Sequence, residues 1–210
     1  MLFQRTAAPC FVMAAALFLV PSLASAQTSV AASLYGAFTG TTNGNGTQQS
    51  PSNSAGALIE VRHIANPVLG FEATYSYNRA DQAYSFNGPA VPVCSGCTVP
   101  PPVSVPANAH EITADWTPSL HFSNLRPFGV LGLGLLLNVP SGSQTSSTST
   151  SAKAVYVYGA GLDWGLLPHL GLRFQYRGNL YEAPDLSKLY SSTNSFTHTA
   201  EPMIGVYFRL

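Results

Sequence analysis

Apolar and polar residues alternate with a period of two in eight segments of this chain, at 29–40, 55–65, 68–80, 108–118, 127–138, 153–164, 169–181 and 198–210. A period of two marks a strand whose two faces meet different surroundings. Each segment runs 11–13 residues. Strands in soluble domains average about 5–6 residues, whereas a tilted strand needs roughly 9–11 to cross a bilayer. The connections alternate as well. Segments 41–54, 81–107, 139–152 and 182–197 are long and rich in Ser, Thr, Asn, Gly and Pro, while 66–67, 119–126 and 165–168 are short. This pattern predicts an all-β chain, an eight-stranded antiparallel up-and-down transmembrane β-barrel with long loops at one end and tight turns at the other. Asn66-Pro67 is a turn signal in its own right. The Ser/Thr run at 141–151 reads as a flexible loop tip.

Composition supports a chain that meets lipid. Only 9% of residues are charged and 46% are hydrophobic, against roughly 25% charged in an ordinary soluble domain. Nine basic and nine acidic residues cancel, which leaves no basic surface for nucleic acid. Residues 1–26 read as a secretory signal peptide. Arg5 is followed by an apolar run at 10–20, too short to span, and by Ala24-Ser25-Ala26 as a cleavage site. Cys10 precedes the apolar core and is no lipid-attachment cysteine. Residues 27–210 then form the barrel domain, and no further domain is expected after it. No later run of about 18 apolar residues offers a spanning helix.

The alternation also assigns faces. Phe71, Ala73, Tyr75 and Tyr77 oppose Glu72, Thr74, Ser76 and Asn78, and Leu170, Leu172, Phe174 and Tyr176 oppose Gly171, Arg173, Gln175 and Arg177. The outward set carries rings near both strand ends. Phe38, Tyr77 and Tyr156 lie toward one rim, Trp116, Trp164 and Phe208 toward the other, as suits membrane interfaces. The inward set contains Glu60, Glu72, Glu111 and Asp115 with Arg62, Arg173, Arg177 and Arg209. An eight-stranded barrel is only wide enough for side chains to fill, so these four acids and four bases should pair. The expected result is a charge-plugged lumen rather than a narrow ion path. Gly132 and Gly134 fall on the inward register, leaving room for arginines opposite. They form no phosphate loop, because no helix follows.

Cys94 and Cys97, in the proline-rich connection 81–107, are expected to pair as a loop disulfide in an oxidising compartment. A redox or metal role would need a helix N-terminus or further ligands. His121-Phe122-Ser123-Asn124 resembles the His-x-Ser-Asn of outer-membrane lipid A deacylases, but no Asp or Glu lies between Asp115 and Asp163 to orient the histidine. His63, His169 and His198 sit at strand ends as rim residues. No catalytic, cofactor or metal residue is assigned.

Several stretches carry a family resemblance: Leu125-Arg126-Pro127-Phe128 with the glycine-rich strand after it, Gly171 to Gly178 with Tyr181 and Ala183-Pro184-Asp185, and Phe196-Thr197-His198-Thr199-Ala200-Glu201-Pro202. On these the chain resembles small OmpA/OmpX-type outer-membrane β-barrel proteins, and more narrowly the single-domain barrels of acidobacteria. The last strand resembles the C-terminal signal read by the barrel-assembly machinery, carried by Gly205, Phe208 and Leu210. Leu210 replaces the usual terminal aromatic there, and Met203 stands where a polar residue is common. The resemblance implies a barrel anchored in the bacterial outer membrane and fixes no activity; with no Ser or His clustered with a carboxylate at the outer rim, the chain is expected to be a non-enzymatic monomer contacting lipid and lipopolysaccharide. Its long loops would serve a structural or surface-interaction role. A lipid-modifying enzyme and a narrow pore are the alternatives.

Overall fold

A computed structural model of the chain describes residues 26–88, 100–142 and 147–210. Its strands are β1 (Gln27–Thr39), β2 (Thr42–Gly44), β3 (Thr47–Pro51), β4 (Ser54–Ile64), β5 (Gly70–Phe86), β6 (Val103–Trp116), β7 (Leu125–Pro140), β8 (Ser151–Gly165), β9 (Leu170–Glu182) and β10 (Phe196–Arg209). The eight long strands pair antiparallel with their chain neighbours, β4 with β1 and β5, then on through β6, β7, β8 and β9 to β10. β10 returns to β1, with Ser29 against Arg209 and Thr39 against Thr199, and closes the ring. The expected eight-stranded up-and-down barrel is therefore the fold, with strand ends within a few residues of the expected ones except in β5 and β6.

Side chains obey the expected parity. Leu34, Ile59, Phe71, Ile112, Leu131, Leu133, Leu135 and Ile204 all point outward and are exposed. A continuous apolar belt of this kind far exceeds the few hundred Å² that a water-soluble monomer tolerates; hydrocarbon is the solvent that suits it. Phe38, Tyr77, Tyr156, Trp116, Trp164 and Phe208 are likewise exposed on this outer face. Trp116 Nε1 donates to the Val68 carbonyl at 2.7 Å beside the β4–β5 turn. Rim histidines bond to outward neighbours, His63 to Thr28 and His198 to Tyr158, each at 2.9 Å.

Inside, rings lie across glycines. Tyr35 faces Gly56, Phe128 faces Gly161 and Tyr207 faces Gly171 on adjacent strands. A Cβ at any of these glycines would collide with the ring. The glycines thus let bulky inward side chains lie flat against the wall of a narrow barrel.

The long-loop end departs from the expectation of free loops. β5 and β6 continue their ladder upward to Tyr84–Val103. Pro106 is tolerated because it lies one residue past the last β6–β7 ladder pair, Ala107–Pro140, where its carbonyl still accepts from Ser141 N at 2.7 Å. Its missing N–H therefore forgoes only the return bond at the very end of that ladder. Segment 41–54 folds into the β2–β3 hairpin, turning at Asn45 (φ 49°) and Gly46 (φ 74°), the Asn-Gly pair that such turns favour. Segment 183–195 lies over this end as a packed cap. Leu186 and Tyr190 are buried against Tyr84, Val105 and Ala107. Tyr84 Oη donates to the Pro184 carbonyl at 2.8 Å and accepts from Leu186 N at 3.1 Å. Tyr190 Oη reaches the Pro101 carbonyl at 2.9 Å, and Ser195 Oγ the Asn43 carbonyl at 2.9 Å. The 141–151 run is not simply a free tip: Ser149 N donates to the Leu186 carbonyl at 2.9 Å, and Lys188 N to the Ser147 carbonyl at 3.0 Å.

Tyr84→Phe removes two of the bonds that hold this cap, at about 1 kcal/mol each. Trypsin cleavage at the exposed Lys188 should then quicken by roughly tenfold or more in the folded barrel, if cleavage follows local opening. Cleavage at the parental rate would show that the hydroxyl does not hold the cap.

Candidate functional site: the charged lumen

The inward faces of β4, β5, β6, β8, β9 and β10 bring nine charged residues into the barrel interior. Glu60, Glu72, Glu111, Asp115, Asp163, Glu201, Arg62, Arg173 and Arg177 are all buried, and the three arginines are 0% exposed. Lipid outside and eight strands around leave these groups no water to turn to, so each charge depends on its partners.

A lower belt, toward the short turns, is built around two arginines. Arg173 pairs with Glu60 and grips Asp163 in a fork, Nε to Oδ1 at 2.6 Å and Nη2 to Oδ2 at 2.8 Å. This bidentate geometry suits the planar guanidinium. Arg62 pairs with Glu72, with Nε to Oε2 at 2.6 Å, and reaches across the lumen to Asp163 at 3.4 Å. Its guanidinium also lies 3.8 Å from the centroid of the Phe128 ring, a cation–π contact strengthened by exclusion of water. An upper belt centres on Arg177, whose Nη2 donates to Glu111 Oε1 at 3.1 Å and to Thr113 Oγ1 at 3.2 Å. Its Nη1 donates to Thr74 Oγ1 at 3.2 Å. Asp115 lies 3.9 Å from the same guanidinium and accepts from Thr113 at 3.0 Å. Asn179 Nδ2 donates to the other Glu111 oxygen at 2.9 Å.

Seven of the eight lumen residues marked in the sequence are thus brought together. Arg209 is not. It lies at the end of β10, only partly buried, with its guanidinium 5.9 Å from the Tyr207 ring. Among the described residues it makes no ion pair. At the rim it can stay hydrated, so it need not enter the network. Two members were missed. Asp163 is inward on β8, where Val155 and Val157 share its face; apolar residues on both faces blur the alternation there. Glu201 lies beside Pro202 at the start of the last strand, but its inward parity with Met203 was legible. Gly132 also differs from expectation. A Cβ there would collide with Asp115 Oδ1, so this glycine makes room for a carboxylate rather than an arginine.

The remaining sequence candidates do not join a site. Cys94 and Cys97 lie outside the described residues. His121, Phe122, Ser123 and Asn124 form an exposed tight turn, with Phe122 and Leu125 exchanging backbone bonds of 2.8 and 2.9 Å and Ser123 at φ 55°. Partial burial and the guanidinium groups of Arg126 and Arg209 hold the His121 imidazole below its usual range. Asp115 and Asp163 are buried in the lumen, and among the described residues no carboxylate is bonded to that imidazole. Gly205 packs against Ser33, while Phe208 and Leu210 are exposed on the outer face.

Replacing Arg173 with Ala would leave Glu60 buried without its ion-pair partner and Asp163 with only Arg62 at 3.4 Å, a loss of about 3–5 kcal/mol. Arg209→Ala should stay within roughly 0.5 kcal/mol. Urea unfolding of the refolded protein, followed by gel mobility, measures both; equal losses would remove the distinction between network and rim. Gly132→Ala should cost about 1–3 kcal/mol by overpacking against Asp115 in the same assay.

Three solved barrels share the fold. Ail, the attachment invasion locus protein of Yersinia pestis, was solved with the heparin analogue sucrose octasulfate. It is 14% identical, with 89% of this chain and 100% of that chain covered and a TM-score of 0.50. Neisserial surface protein A is 15% identical over 89% and 100%, with a TM-score of 0.56. OprG, an outer membrane protein of Pseudomonas aeruginosa, is 9% identical over 88% and 96%, with a TM-score of 0.53. At such identities the likeness concerns fold alone. No curated protein matches the sequence. The model of the outer membrane protein beta-barrel domain family matches residues 11–199. With a closed eight-stranded ring, an apolar outer belt and that match over most of its length, the chain belongs to this family of outer-membrane β-barrels.

Proposed function

We propose that this protein is a closed, non-enzymatic outer-membrane barrel whose own ion pairs plug the lumen and whose packed loop cap is the surface it presents outside the cell. The carrying observation is the set of three fully buried arginines bonded across the lumen, Arg62 from β4 to Asp163 on β8, Arg173 from β9 to Glu60 on β4 and Arg177 from β9 to Glu111 on β6. A continuous water path would require these pairs to part, at a cost of several kcal/mol for each charge that stays buried without its partner. The apolar belt supports contact with outer-membrane lipid and lipopolysaccharide. Gly205, Phe208 and Leu210 on β10 are proposed as the signal for the barrel-assembly machinery, and Cys94 with Cys97 as a loop disulfide. The protein is proposed to act as a monomer.

In planar bilayers the purified protein should give no steady unitary openings. Steady openings that vanish on Arg173 or Glu111 substitution would overturn the plug. Ser123→Ala should leave the acylation pattern of lipid A unchanged in cells that express the protein. A deacylated pattern lost in that variant would establish the enzymatic alternative.

A further inference from the structure

The nine acidic side chains are shared unequally between the two ends of the barrel. Six are buried in the lumen (Glu60, Glu72, Glu111, Asp115, Asp163, Glu201). The other three, Asp81, Glu182 and Asp185, belong to the long-loop end, where Arg79, Lys153 and Lys188 match them in number. The short-turn end holds Arg126, Arg209, His63, His121 and His169 and no acidic side chain. Arg126 stands opposite Asp163 in the ladder, but Asp163 is bonded to Arg173 and Arg62. Among the described residues neither Arg126 nor Arg209 makes an ion pair. Both guanidinium groups bear on the His121 imidazole, so three basic groups gather at one mouth of the barrel.

An apolar groove of ≈ 650 Å³ opens at the same end, on the outer face; small-molecule sites span roughly 300–1,000 Å³. It lies between the β4–β5 turn and the β6–β7 connection, walled by Pro67, Leu69, Pro118, Leu120 and Pro127. Gly129, with the outward parity of Leu131 and Leu133, keeps it open, and a Cβ there would meet only Pro118 Cγ, at 3.6 Å. The polar residues at its edge are engaged in the turns. Asn66 Oδ1 accepts from Val68 N at 2.9 Å and from Leu69 N at 2.8 Å, and Ser119 N donates to the Pro67 carbonyl at 2.8 Å. The groove joins the apolar belt beside Trp116, whose indole is bonded to Val68 in the groove lining. The β6–β7 connection is itself a two-faced hairpin, with Ser119 opposite Phe128 and Phe122 opposite Leu125. That register puts His121 opposite Arg126 and leaves Leu120, Phe122 and Leu125 exposed on the other face. Neighbours in the chain therefore serve two surfaces: Leu120 and Pro127 line the groove, His121 and Arg126 the mouth.

We infer that this groove binds one anionic glycerophospholipid of the periplasmic leaflet, with an acyl chain against Pro118, Pro127 and Gly129 and the headgroup phosphate met by His121, Arg126 and Arg209. The groove is continuous with a surface that already suits hydrocarbon, which favours an acyl chain over a peptide or a soluble ligand. A phosphodiester supplies the negative charge that the short-turn end lacks. Arginine stems are long enough to lie along apolar surface and bring their charge round the hairpin to it. A segment with apolar residues on one face and basic residues on the other suits an anionic lipid surface. The inference rests on the proposed orientation, with the long loops outside the cell, only for the choice of leaflet. Conductance tests the plugged lumen, whereas lipid retention tests the groove.

The test offers equal amounts of phosphatidylglycerol and phosphatidylcholine to the refolded protein in detergent and counts the retained lipid by native mass spectrometry. The parent should hold about one phosphatidylglycerol per chain, preferred over phosphatidylcholine by roughly tenfold or more, as two arginines near an anionic headgroup provide. Arg126→Gln combined with Arg209→Gln should bring that preference down to parity, while Lys188→Gln, at the long-loop end, should leave it as in the parent. Gly129→Leu fills the groove from the outer face and should lose most of the retained lipid of both kinds, with the heat-modifiable gel shift reporting that the barrel has folded. If these variants do not fold, Trp116 serves as the probe. In Trp164→Phe, phosphatidylglycerol brominated in its acyl chains should quench the remaining indole at a lower mole fraction than brominated phosphatidylcholine. Equal retention of the two lipids by the parent would overturn the inference. So would a preference unchanged in the double arginine variant, retention by folded Gly129→Leu equal to the parent's, or equal quenching by the two brominated lipids.

Discussion

The pairing of β1 with β10 closes the hydrogen-bond ladder, and the remaining features follow from that closure. A sheet edge in hydrocarbon would leave a row of backbone N–H and C=O groups without partners, at several kcal/mol each. Ser29 against Arg209 through Thr39 against Thr199 removes that edge. Closure at eight strands fixes a narrow interior, and the strict alternation of each strand then divides every side chain between lipid and lumen.

What fills the lumen is set by the scarcity of space. Tyr35, Phe128 and Tyr207 lie flat over glycines of neighbouring strands, and the arginines cross the remaining gap to carboxylates on other strands. Arginine suits this role because its fork satisfies two acceptors at once, as at Asp163, while its face stacks on Phe128. Such a network gives little net stability over an apolar core of the same shape. Its cost falls instead on any slip of register, which would move Arg62, Arg173 and Arg177 onto the lipid face.

The cap shows the same economy of polar groups at the other end. Tyr84 and Tyr190 use their rings to bury Leu186 and their hydroxyls to meet backbone groups of segments 183–195 and 100–101. A loop that would otherwise wave in solvent becomes a surface with a fixed shape, held by the strands beneath it.

The sequence by itself determined the eight strands, their facing and the division into long and short connections, because period two and strand length are local properties that survive without tertiary context. It also placed Glu60, Arg62, Glu72, Glu111, Asp115, Arg173 and Arg177 indoors. Tertiary structure alone decided which of them meet, since Arg62 and Asp163 stand 101 residues apart in the chain and share a lumen only once the ring closes. It excluded Arg209, whose height at the rim depends on the register of β10 against β1 and β9. It added Asp163, hidden by valines on the same face, and Glu201. Those corrections turn an apparent balance of four acids and four bases into six against three, a quantity that depends on which side chains lose their water, and so on the fold.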